Sequence, residues 1–183
     1  SSMDAAWAFT VAALLWVYLG IQKGQVTQDG LTGLNNRRRL DQYMWELDER
    51  SGERETCCYL LMDVNKFKKV NDTYGHVTGD EVLRLVAEQL KRTFGNMQAF
   101  LARYGGDEFV VIVKGKTQDE MDVIIHQTQE NVNAIAWGAD TPWQLSISIG
   151  CAMRGEQGKQ KSHELLALAD ERMYRQKKGI QDR

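Results

Sequence analysis

The apolar positions along the chain follow two periods. Apolar residues three or four positions apart, as at Leu40, Met44 and Leu47, are typical of a helix with one buried face. Short apolar or alternating runs, such as Thr56 to Met62, are typical of strands. The pattern predicts helices over 36–50, 77–94, 119–137 and 162–178, and strands over 56–62, 101–104, 109–113 and 143–153. The clearest helix is 77–94, where Thr78 and Glu81 have the spacing of a capping box.

Two of these strands are separated only by a short segment that contains Gly105 and Gly106. A pair of glycines can take the positive φ values that a tight hairpin turn demands, so these strands are predicted to pair antiparallel. The element order is helix, strand, helices, hairpin, helix, strand, helix. This order predicts an α+β fold, an α/β sandwich in which helices cover one mostly antiparallel central sheet.

The first segment has a different pattern. Residues 5–22 carry no charge and place bulky apolar side chains all round a helix, as in a lipid-facing helix of spanning length. Lys23 and the run Arg37 to Arg39 follow it, so the positive-inside rule predicts that the remainder lies in the cytoplasm. We therefore predict an apolar helix and short linker over 1–28, with a membrane anchor through 5–22, and a folded domain over 29–183. The alternative is a helix that packs on the domain or on a second copy of the chain.

Composition and charge narrow the possible partners. With 183 residues, 43% hydrophobic and 26% charged, the chain can bury one substantial core. A formal net charge of -2 provides no general attraction for nucleic acid, so no nucleic-acid partner is expected and any anionic ligand needs a local cluster of cations. The three cysteines lie in apolar runs without a CxxC spacing, which favours buried hydrophobic roles over metal ligation.

Acidic residues stand where two predicted strands end or begin. Asp63 follows the strand over 56–62, and Asp107 and Glu108 precede the strand over 109–113. Carboxylates that converge from neighbouring strands suit Mg²⁺ when it also binds substrate phosphates. Lysines that could balance phosphate charge are Lys66, Lys68, Lys69, Lys177 and Lys178. The combination indicates nucleotide chemistry, and the alternative is a solvated surface of ion pairs.

The residues around the hairpin resemble a known family. Gly105-Gly106-Asp107-Glu108-Phe109 is similar to the signature of the GGDEF family of diguanylate cyclases, which condense two GTP into cyclic di-GMP and two pyrophosphates. Further blocks keep the family's order and spacing: Asp29-x-Leu31-Thr32-Gly33-Leu34-x-Asn36-Arg37-Arg38, Asp63-x-Asn65-x-Phe67-Lys68-x-x-Asn71-Asp72-x-Tyr74-Gly75-His76-x-x-Gly79-Asp80, Arg103-Tyr104 and Ala169-Asp170-x-x-Met173-Tyr174-x-x-Lys177. On this resemblance, residues 29–183 are a GGDEF catalytic domain with nucleotidyltransferase activity.

The resemblance implies a metal site. Mg²⁺, or alternatively Mn²⁺, would be held by Asp63, the main-chain carbonyl of Val64 and Asp107. Glu108 would bind a second metal ion or share the role of general base. Asp107 or Glu108 would take the proton from the ribose 3′-hydroxyl, and the sequence leaves open which of them does so.

The resemblance also implies contacts to the substrate phosphates. Lys68 would stabilise phosphate charge during the reaction, and Lys177 would contact the same triphosphate from the last helix. Phe67 belongs to the same substrate-binding turn. Main-chain N–H groups of residues 65–68 would add phosphate donors at a helix start.

The base and ribose would be bound by a second group of residues. Asn71 and Asp80 correspond to the guanine-reading pair, because a carboxylate accepts from guanine N1–H and the 2-amino group, which adenine lacks. His76 would pack near the base or ribose, or serve the structure alone. Gly105 and Gly106 would leave room for the nucleotide, a role that is compatible with a hairpin turn.

The family's organisation implies further expectations. The fold would resemble nucleotide cyclases and polymerase palm domains, and catalysis would require a homodimer in which each domain holds one GTP. Together with the apolar segment, this predicts the output domain of a membrane sensor at the bacterial inner membrane. One alternative is a GTP-binding regulatory module without turnover. Another is a synthase that accepts ATP and makes a mixed dinucleotide, which would be expected to lack the carboxylate of Asp80.

The sequence departs from the family pattern at two places. The family's product-inhibition site, Arg-x-x-Asp, would fall on residues 96–99, where the chain has Asn-Met-Gln-Ala. Feedback by cyclic di-GMP through that site is therefore not expected. Gln181 stands where many members have an arginine. One phosphate contact is then missing, or Lys178 or Arg183 replaces it.

Overall fold

Six helices and four strands are defined within residues 2–24, 26–50, 56–138, 143–155 and 160–181, the part of the chain that the computed structural model describes. In chain order they are α1 Ser2–Gly24, α2 Arg37–Glu49, β1 Cys57–Val64, α3 Phe67–Tyr74, α4 His76–Phe94, β2 Ala99–Arg103, β3 Glu108–Lys114, α5 Gln118–Asn133, β4 Ile147–Met153 and α6 Ser162–Gln181. Every strand and helix predicted above is present, with ends shifted by a few residues.

The strands form a single antiparallel sheet in the order β2-β3-β1-β4. β1 is one of the two inner strands and is buried along its whole length, as expected for a short apolar run without alternation. Asp63 pairs with Glu108 on one side and with Ser148 on the other. The α+β class and the mostly antiparallel sheet are therefore confirmed.

Helices cover both faces of the sheet, because successive side chains of β1 point to opposite sides. Leu60 and Met62 belong to the cluster that includes residues of α4 and α5. Tyr59 and Leu61 belong to the cluster that includes residues of α2 and α6. Asp63 is the next alternate residue after Tyr59 and Leu61, so its carboxylate lies on the same face of the sheet, which α6 covers.

Two local predictions are wrong. α4 begins at His76 after Gly75, which has a φ of 86°, and no side chain caps it; the Thr78 hydroxyl instead donates to the Tyr74 carbonyl at 3.1 Å. The capping box is found at α5, between Thr117 and Glu120. The Gly105-Gly106 pair is not among the described glycines with positive φ. The connection from Arg103 to Glu108 is longer than a two-residue turn, so mirror-image dihedrals are not required.

The prediction of a membrane anchor through 5–22 and of an inner-membrane location is wrong. Among the described residues, no helix is both long enough and apolar enough to cross a membrane. The apolar run forms part of α1. Its apolar side chains are exposed, with Trp16 at 80% and Phe9 at 78%.

A buried polar network ties the far end of the sheet to two helices. The Arg154 guanidinium donates from Nη2 to Asp48 Oδ1 at 3.0 Å and to the Tyr59 hydroxyl at 2.9 Å. The Ser162 main-chain N–H donates to the Asp48 carboxylate at 3.0 Å, at the start of α6. Burial, followed by the neighbouring Cys57, raises the pKa of Tyr59, so its hydroxyl stays neutral. Asp48 of α2 therefore fixes where α6 begins.

Asp48→Ala is expected to lower the free energy of unfolding by about 2 kcal/mol. The substitution leaves the partly buried Arg154 without its carboxylate, and the cost is moderate because about a fifth of each side chain is exposed. Urea denaturation measures the difference. Glu49→Ala, an exposed acid on the same helix, is the matched control and should change stability by less than about 0.5 kcal/mol. Equal midpoints for Asp48→Ala and the wild type would contradict this role.

Candidate functional site

Carboxylates from two neighbouring strands meet at one end of the sheet. Asp63 lies near the end of β1 with only 7% of its surface exposed, and its register partner is Glu108 at the start of β3. The Val64 N–H donates to the Asp107 carbonyl at 3.2 Å, so Asp107 lies directly beside the end of β1. The sheet thus brings together three acids predicted from sequence, with Asp63 held most rigidly.

Lys177 of α6 enters the same cluster. Its Nζ lies 2.6 Å from Asp63 Oδ1, and the two side chains are 27% and 10% exposed. A charge-assisted contact of this length between partly buried groups is a strong hydrogen bond. A cation is therefore already in place on the most buried acid of the site.

The other two acids hold their protons more tightly than ordinary carboxyls. Burial, followed by the charge of Asp63, raises the pKa of Asp107. Burial, followed by Asp63, Asp107 and Asp170, raises the pKa of Glu108. Lys177 acts in the opposite direction on both pKa values. The cluster is short of positive charge, which an incoming cation would supply.

The hairpin turn before these acids is held by Arg103. Its guanidinium donates to the carbonyls of Gly105 and Gly106, at 3.1 and 2.8 Å, and forms an ion pair with Asp29 at 3.2 Å. Burial opposes ionisation of Asp29, but hydrogen bonds from Thr32 and the charge of Arg103 lower its pKa overall. The sequence block that begins at Asp29 is therefore joined to the turn that presents Asp107.

The close approach at Gly105 differs from the prediction. A Cβ on Gly105 would lie 2.8 Å from Glu108 Oε2, whereas a Cβ on Gly106 would meet no atom within 4 Å. Gly105 thus makes room for the Glu108 carboxylate. Gly106 leaves open space, as expected for a surface that a ligand approaches.

A second cluster lies where α3 crosses α4. A Cβ on Gly79 would lie 1.8 Å from Asn71 Oδ1 and 3.3 Å from Phe67 Cζ. The Asn71 amide therefore packs on the bare backbone of α4, next to the exposed Asp80. Asn71 thus lies against the residue that precedes Asp80 in α4. Sequence reasoning gave Gly79 no role, although its place in the motif was the available signal.

The turn between β1 and α3 is anchored by Asn65. Its amide accepts from the Ser148 hydroxyl at 2.7 Å and donates to the Ser146 hydroxyl at 3.0 Å. The next residue, Lys66, has a left-handed backbone with φ 58°, a conformation that costs a non-glycine residue roughly 1 kcal/mol. Lys68 and His76 are exposed nearby, and within the described residues neither forms a hydrogen bond or ion pair with the acids. Asn65, Ser146 and Ser148 were all missed as supports of the site.

The acids fit a hard divalent cation by their chemistry. Mg²⁺ is commonly bound through one or two carboxylates together with substrate phosphates, and Asp63 and Asp107 provide carboxylates from adjacent strands. Within the described residues, no group of three or more His, Cys, Asp or Glu side chains is gathered closely enough to hold a metal ion. Lys177 rather than a third acid neutralises Asp63. The residues suit a metal that arrives with a phosphate ligand better than a metal held by protein alone.

Lys177→Met is expected to bind Mn²⁺ about tenfold more tightly than the wild type when no nucleotide is present. The ammonium competes for the Asp63 oxygen, and about 1.4 kcal/mol of lost competition corresponds to that factor. Electron paramagnetic resonance of free Mn²⁺ measures the affinity.

Two charge-matched controls separate direct competition from general repulsion. Lys178→Met and Lys68→Met each remove one nearby positive charge without touching Asp63, and each should change the affinity by less than about threefold. Equal effects of all three substitutions would argue against competition at Asp63.

The four-stranded antiparallel sheet, with paired acids at the end of its central strand, defines a domain of the cyclase fold. Residues 26–183 match the family model described as diguanylate cyclase, GGDEF domain, and the chain belongs to that family.

Relatives and solved structures agree with this assignment. "Probable diguanylate cyclase DgcI" of Escherichia coli strain K12 is 38% identical over 156 residues, which cover 82% of this chain and 31% of the relative. The crystal structure of the GGDEF domain of DgcB from Caulobacter crescentus in complex with c-di-GMP is 30% identical, with a TM-score of 0.75 over 85% of this chain and 92% of that domain. A DgcB structure with coiled coil and GGDEF domain is 27% identical, with a TM-score of 0.78 over 98% and 96% of the two chains.

The chain spans only part of its curated relatives. It covers 31% of DgcI and 42% of "Probable diguanylate cyclase DgcC" of the same strain. The similarity therefore concerns one domain of longer proteins.

Proposed function

We propose that this chain is an active diguanylate cyclase domain that condenses two GTP into cyclic di-GMP with release of two pyrophosphates. The observation that carries the proposal is the cluster of Asp63, Asp107 and Glu108 at adjoining strand ends with Lys177 on Asp63. Acids and a lysine in one partly buried cleft are suited to phosphoryl transfer, where positioning and charge stabilisation provide most of the catalysis.

The positions of Asp63, Asp107 and Lys177 support the metal and phosphate roles that the resemblance implies. Asp63, Asp107 and the carbonyl of Val64 would hold Mg²⁺, or Mn²⁺ in its place, with Glu108 beside them. The metal would neutralise phosphate charge when bound. Lys177 forms an ion pair with Asp63 and would contact a triphosphate bound there, and Lys68 would approach the triphosphate from the start of α3.

The proton acceptor is one of the two acids with raised pKa values. A general base works best when its pKa is close to the working pH, and both Asp107 and Glu108 are raised from their ordinary values by burial. Their protons would come from the ribose 3′-hydroxyl of the partner domain's GTP.

The base would be bound by the cluster at α3 and α4. Support comes from the packing at Gly79, the residue before Asp80, where side-chain atoms of Asn71 and Phe67 both lie within 4 Å of an added Cβ. The Asp80 carboxylate would accept from guanine N1–H and the 2-amino group, which favours GTP over ATP. His76 begins α4 next to this cluster, and Gly105 and Gly106 would bound the nucleotide on the hairpin side.

A homodimer would complete the reaction, because one domain holds one GTP. The exposed apolar side chains of α1 support pairing of this helix with a second copy, since a helix that is apolar all round needs a covering partner. Residues 1–28 would then form the pairing segment and 29–183 the catalytic domain. As the relatives are longer than this chain, we also propose that a regulatory region controls the dimer.

Two departures from the family bear on regulation and substrate binding. Residues 96–99 lack the Arg-x-x-Asp charges, so we propose that cyclic di-GMP does not inhibit through that position. The side chain of Gln181 lies outside the described residues. Its effect on phosphate binding stays a prediction.

Incubation of a leucine-zipper-fused dimer with GTP and Mg²⁺ tests the proposal, with cyclic di-GMP and pyrophosphate measured by chromatography. Product at a ratio of one cyclic di-GMP to two pyrophosphates is expected. Binding of a GTP analogue without any product from GTP would instead indicate a regulatory module. Formation of mixed dinucleotide with ATP would indicate relaxed base selection.

A further inference from the structure

β4 is an edge strand in the described part of the sheet. Side chains, and not another strand, form hydrogen bonds with the main-chain groups on its outer side. Ile147, Ile149 and Cys151 are alternate residues, so their main-chain groups point the same way, away from β1. Three side chains bond to these groups: Gln129 of α5 donates to the Ile147 carbonyl at 3.3 Å, Gln176 accepts from the Ile149 N–H at 2.6 Å, and Arg172 donates to the Cys151 carbonyl at 2.6 Å. Unpaired edge groups are normally protected in some such way.

Gln176 is the central member of this set. Its single Oε1 accepts both the Ile149 N–H and the Gln129 Nε2 amide, the latter at 3.2 Å. It therefore links α6, α5 and β4 through one atom. A partly buried acceptor with two donors has little freedom to rotate without leaving a donor unpaired.

The backbone of α6 is also pressed against β4 one to two turns earlier. A Cβ on Gly150 would lie 1.8 Å from the Ala169 carbonyl oxygen and 2.4 Å from the Met173 nitrogen. This contact fixes the distance between helix and strand near residues 169–173. Rotation of the last turns about the helix axis is limited by the bonds of Arg172 and, farther along, of Gln176.

Gln176 directly precedes Lys177, so the two side chains leave the helix about 100° apart. When Gln176 is held on the edge of β4, Lys177 is directed over the end of β1, where its Nζ meets Asp63 Oδ1 at 2.6 Å. We propose that Gln176 is a positioning residue: its hydrogen bonds to the β4 edge set the rotation of α6 that places the Lys177 ammonium on Asp63. The inference deepens the proposed function, on which it rests for the identity of the nucleotide.

The test is a double-mutant cycle of Gln176→Met and Lys177→Met with two binding measurements. Methionine keeps the length of glutamine and removes the acceptor. In nucleotide-free protein, Gln176→Met is expected to raise the Mn²⁺ affinity about threefold, because Lys177 no longer stays on Asp63. With Mg²⁺ and a non-hydrolysable GTP analogue, it is expected to weaken analogue binding about fivefold. When Lys177 is already methionine, both effects of Gln176→Met should fall below about twofold, because the free-energy changes of two substitutions that act through one contact do not add.

Gln129→Met is the matched control, because it removes bonds on the same edge but leaves the bond between Ile149 and Gln176. It should change either affinity by less than about twofold.

A purely structural role of Gln176 predicts lower thermal stability with unchanged affinities, or effects that persist in full without Lys177, and either result would overturn the proposal. If Gln176→Met does not fold, Gln176→Ala is used in the same cycle, because alanine favours the helix.

Failure of the proposed function is recognised separately. A wild type that binds the analogue and makes no cyclic di-GMP would remove the cyclase assignment while leaving the cycle intact. The Mn²⁺ arm needs no nucleotide, so it decides the role of Gln176 even if GTP is not the substrate.

Discussion

Asp107→Ala should abolish cyclic di-GMP formation, with a loss of about a thousandfold or more in turnover. Asp107 lies immediately before β3 and beside the end of β1, so its removal would take away a metal ligand and a candidate base together. Several kcal/mol of charge stabilisation depend on a bound metal, and each 1.36 kcal/mol is a factor of ten in rate. Product formation in the fused dimer at saturating GTP measures the effect. Activity near that of the wild type would show that the site is assigned wrongly.

Asp107→Asn provides the folding control for this loss. The pKa of Asp107 is raised in the folded protein, so the ionised carboxylate costs stability at neutral pH. For a raised pKa, stability is complete below the ordinary value of 3.8 and is lost as the pH rises through the folded value. Asp107→Asn should therefore melt higher than the wild type at pH 7 in chelator, and the difference should shrink below pH 4. A more stable yet inactive variant separates chemistry from folding.

Much of the candidate site could be predicted because its residues lie in short blocks. Asp63 ends an apolar run, and Asp107 and Glu108 interrupt another, so their places at strand ends follow from local pattern. Their meeting requires β1 and β3 to pair antiparallel, which the hairpin of β2 and β3 does not imply. The register that pairs Asp63 with Glu108 needed the structure.

The supports of the site could not be predicted in this way, because they join distant parts of the chain. Asn65 bonds to Ser146 and Ser148, which lie 81 and 83 residues away. Gln176 bonds to Ile149, 27 residues earlier, and no local period marks that contact. Serine and glutamine at such positions look like ordinary surface residues until the edge of β4 is seen. Tertiary contacts of polar side chains carry no periodicity that a sequence pattern could reveal.

At the helix starts, a local sequence pattern predicted a contact that the structure does not form. Thr78 and Glu81 have the spacing of a capping box, but α3 ends at Tyr74 and α4 begins at once, so the Thr78 hydroxyl bonds back to Tyr74. The apolar pattern did not show where α3 ends, and the position of that end determines which acceptor the Thr78 hydroxyl finds. Thr117 and Glu120 form a capping box because a free loop precedes them.

Gly79→Ala is expected to weaken binding of a GTP analogue about a hundredfold while the protein stays folded. An alanine in an exposed helix interior usually stabilises a protein by up to about 1 kcal/mol relative to glycine. Here the added Cβ would lie 1.8 Å from Asn71 Oδ1, so the amide must rotate away from α4. Rotation of a side-chain end is tolerated by the fold but removes Asn71 from the side of Asp80, where guanine would be read. Calorimetric titration with the analogue and Mg²⁺ measures the loss.

The control is Gly179→Ala, on the exposed face of α6, where an added Cβ meets no atom within 4 Å. It should leave analogue affinity within about twofold and raise the melting temperature slightly.

Asp80→Ala separates base reading from crowding: it should reduce the preference for guanine over adenine, because the accepting carboxylate is lost. If Gly79→Ala binds as well as the wild type, Asn71 does not contact the base, and guanine recognition must rest on Asp80 alone. Since the atoms that must give way at Gly79 belong to the side chains of Asn71 and Phe67 and not to the main chain, loss of binding without loss of fold is the result that this packing requires.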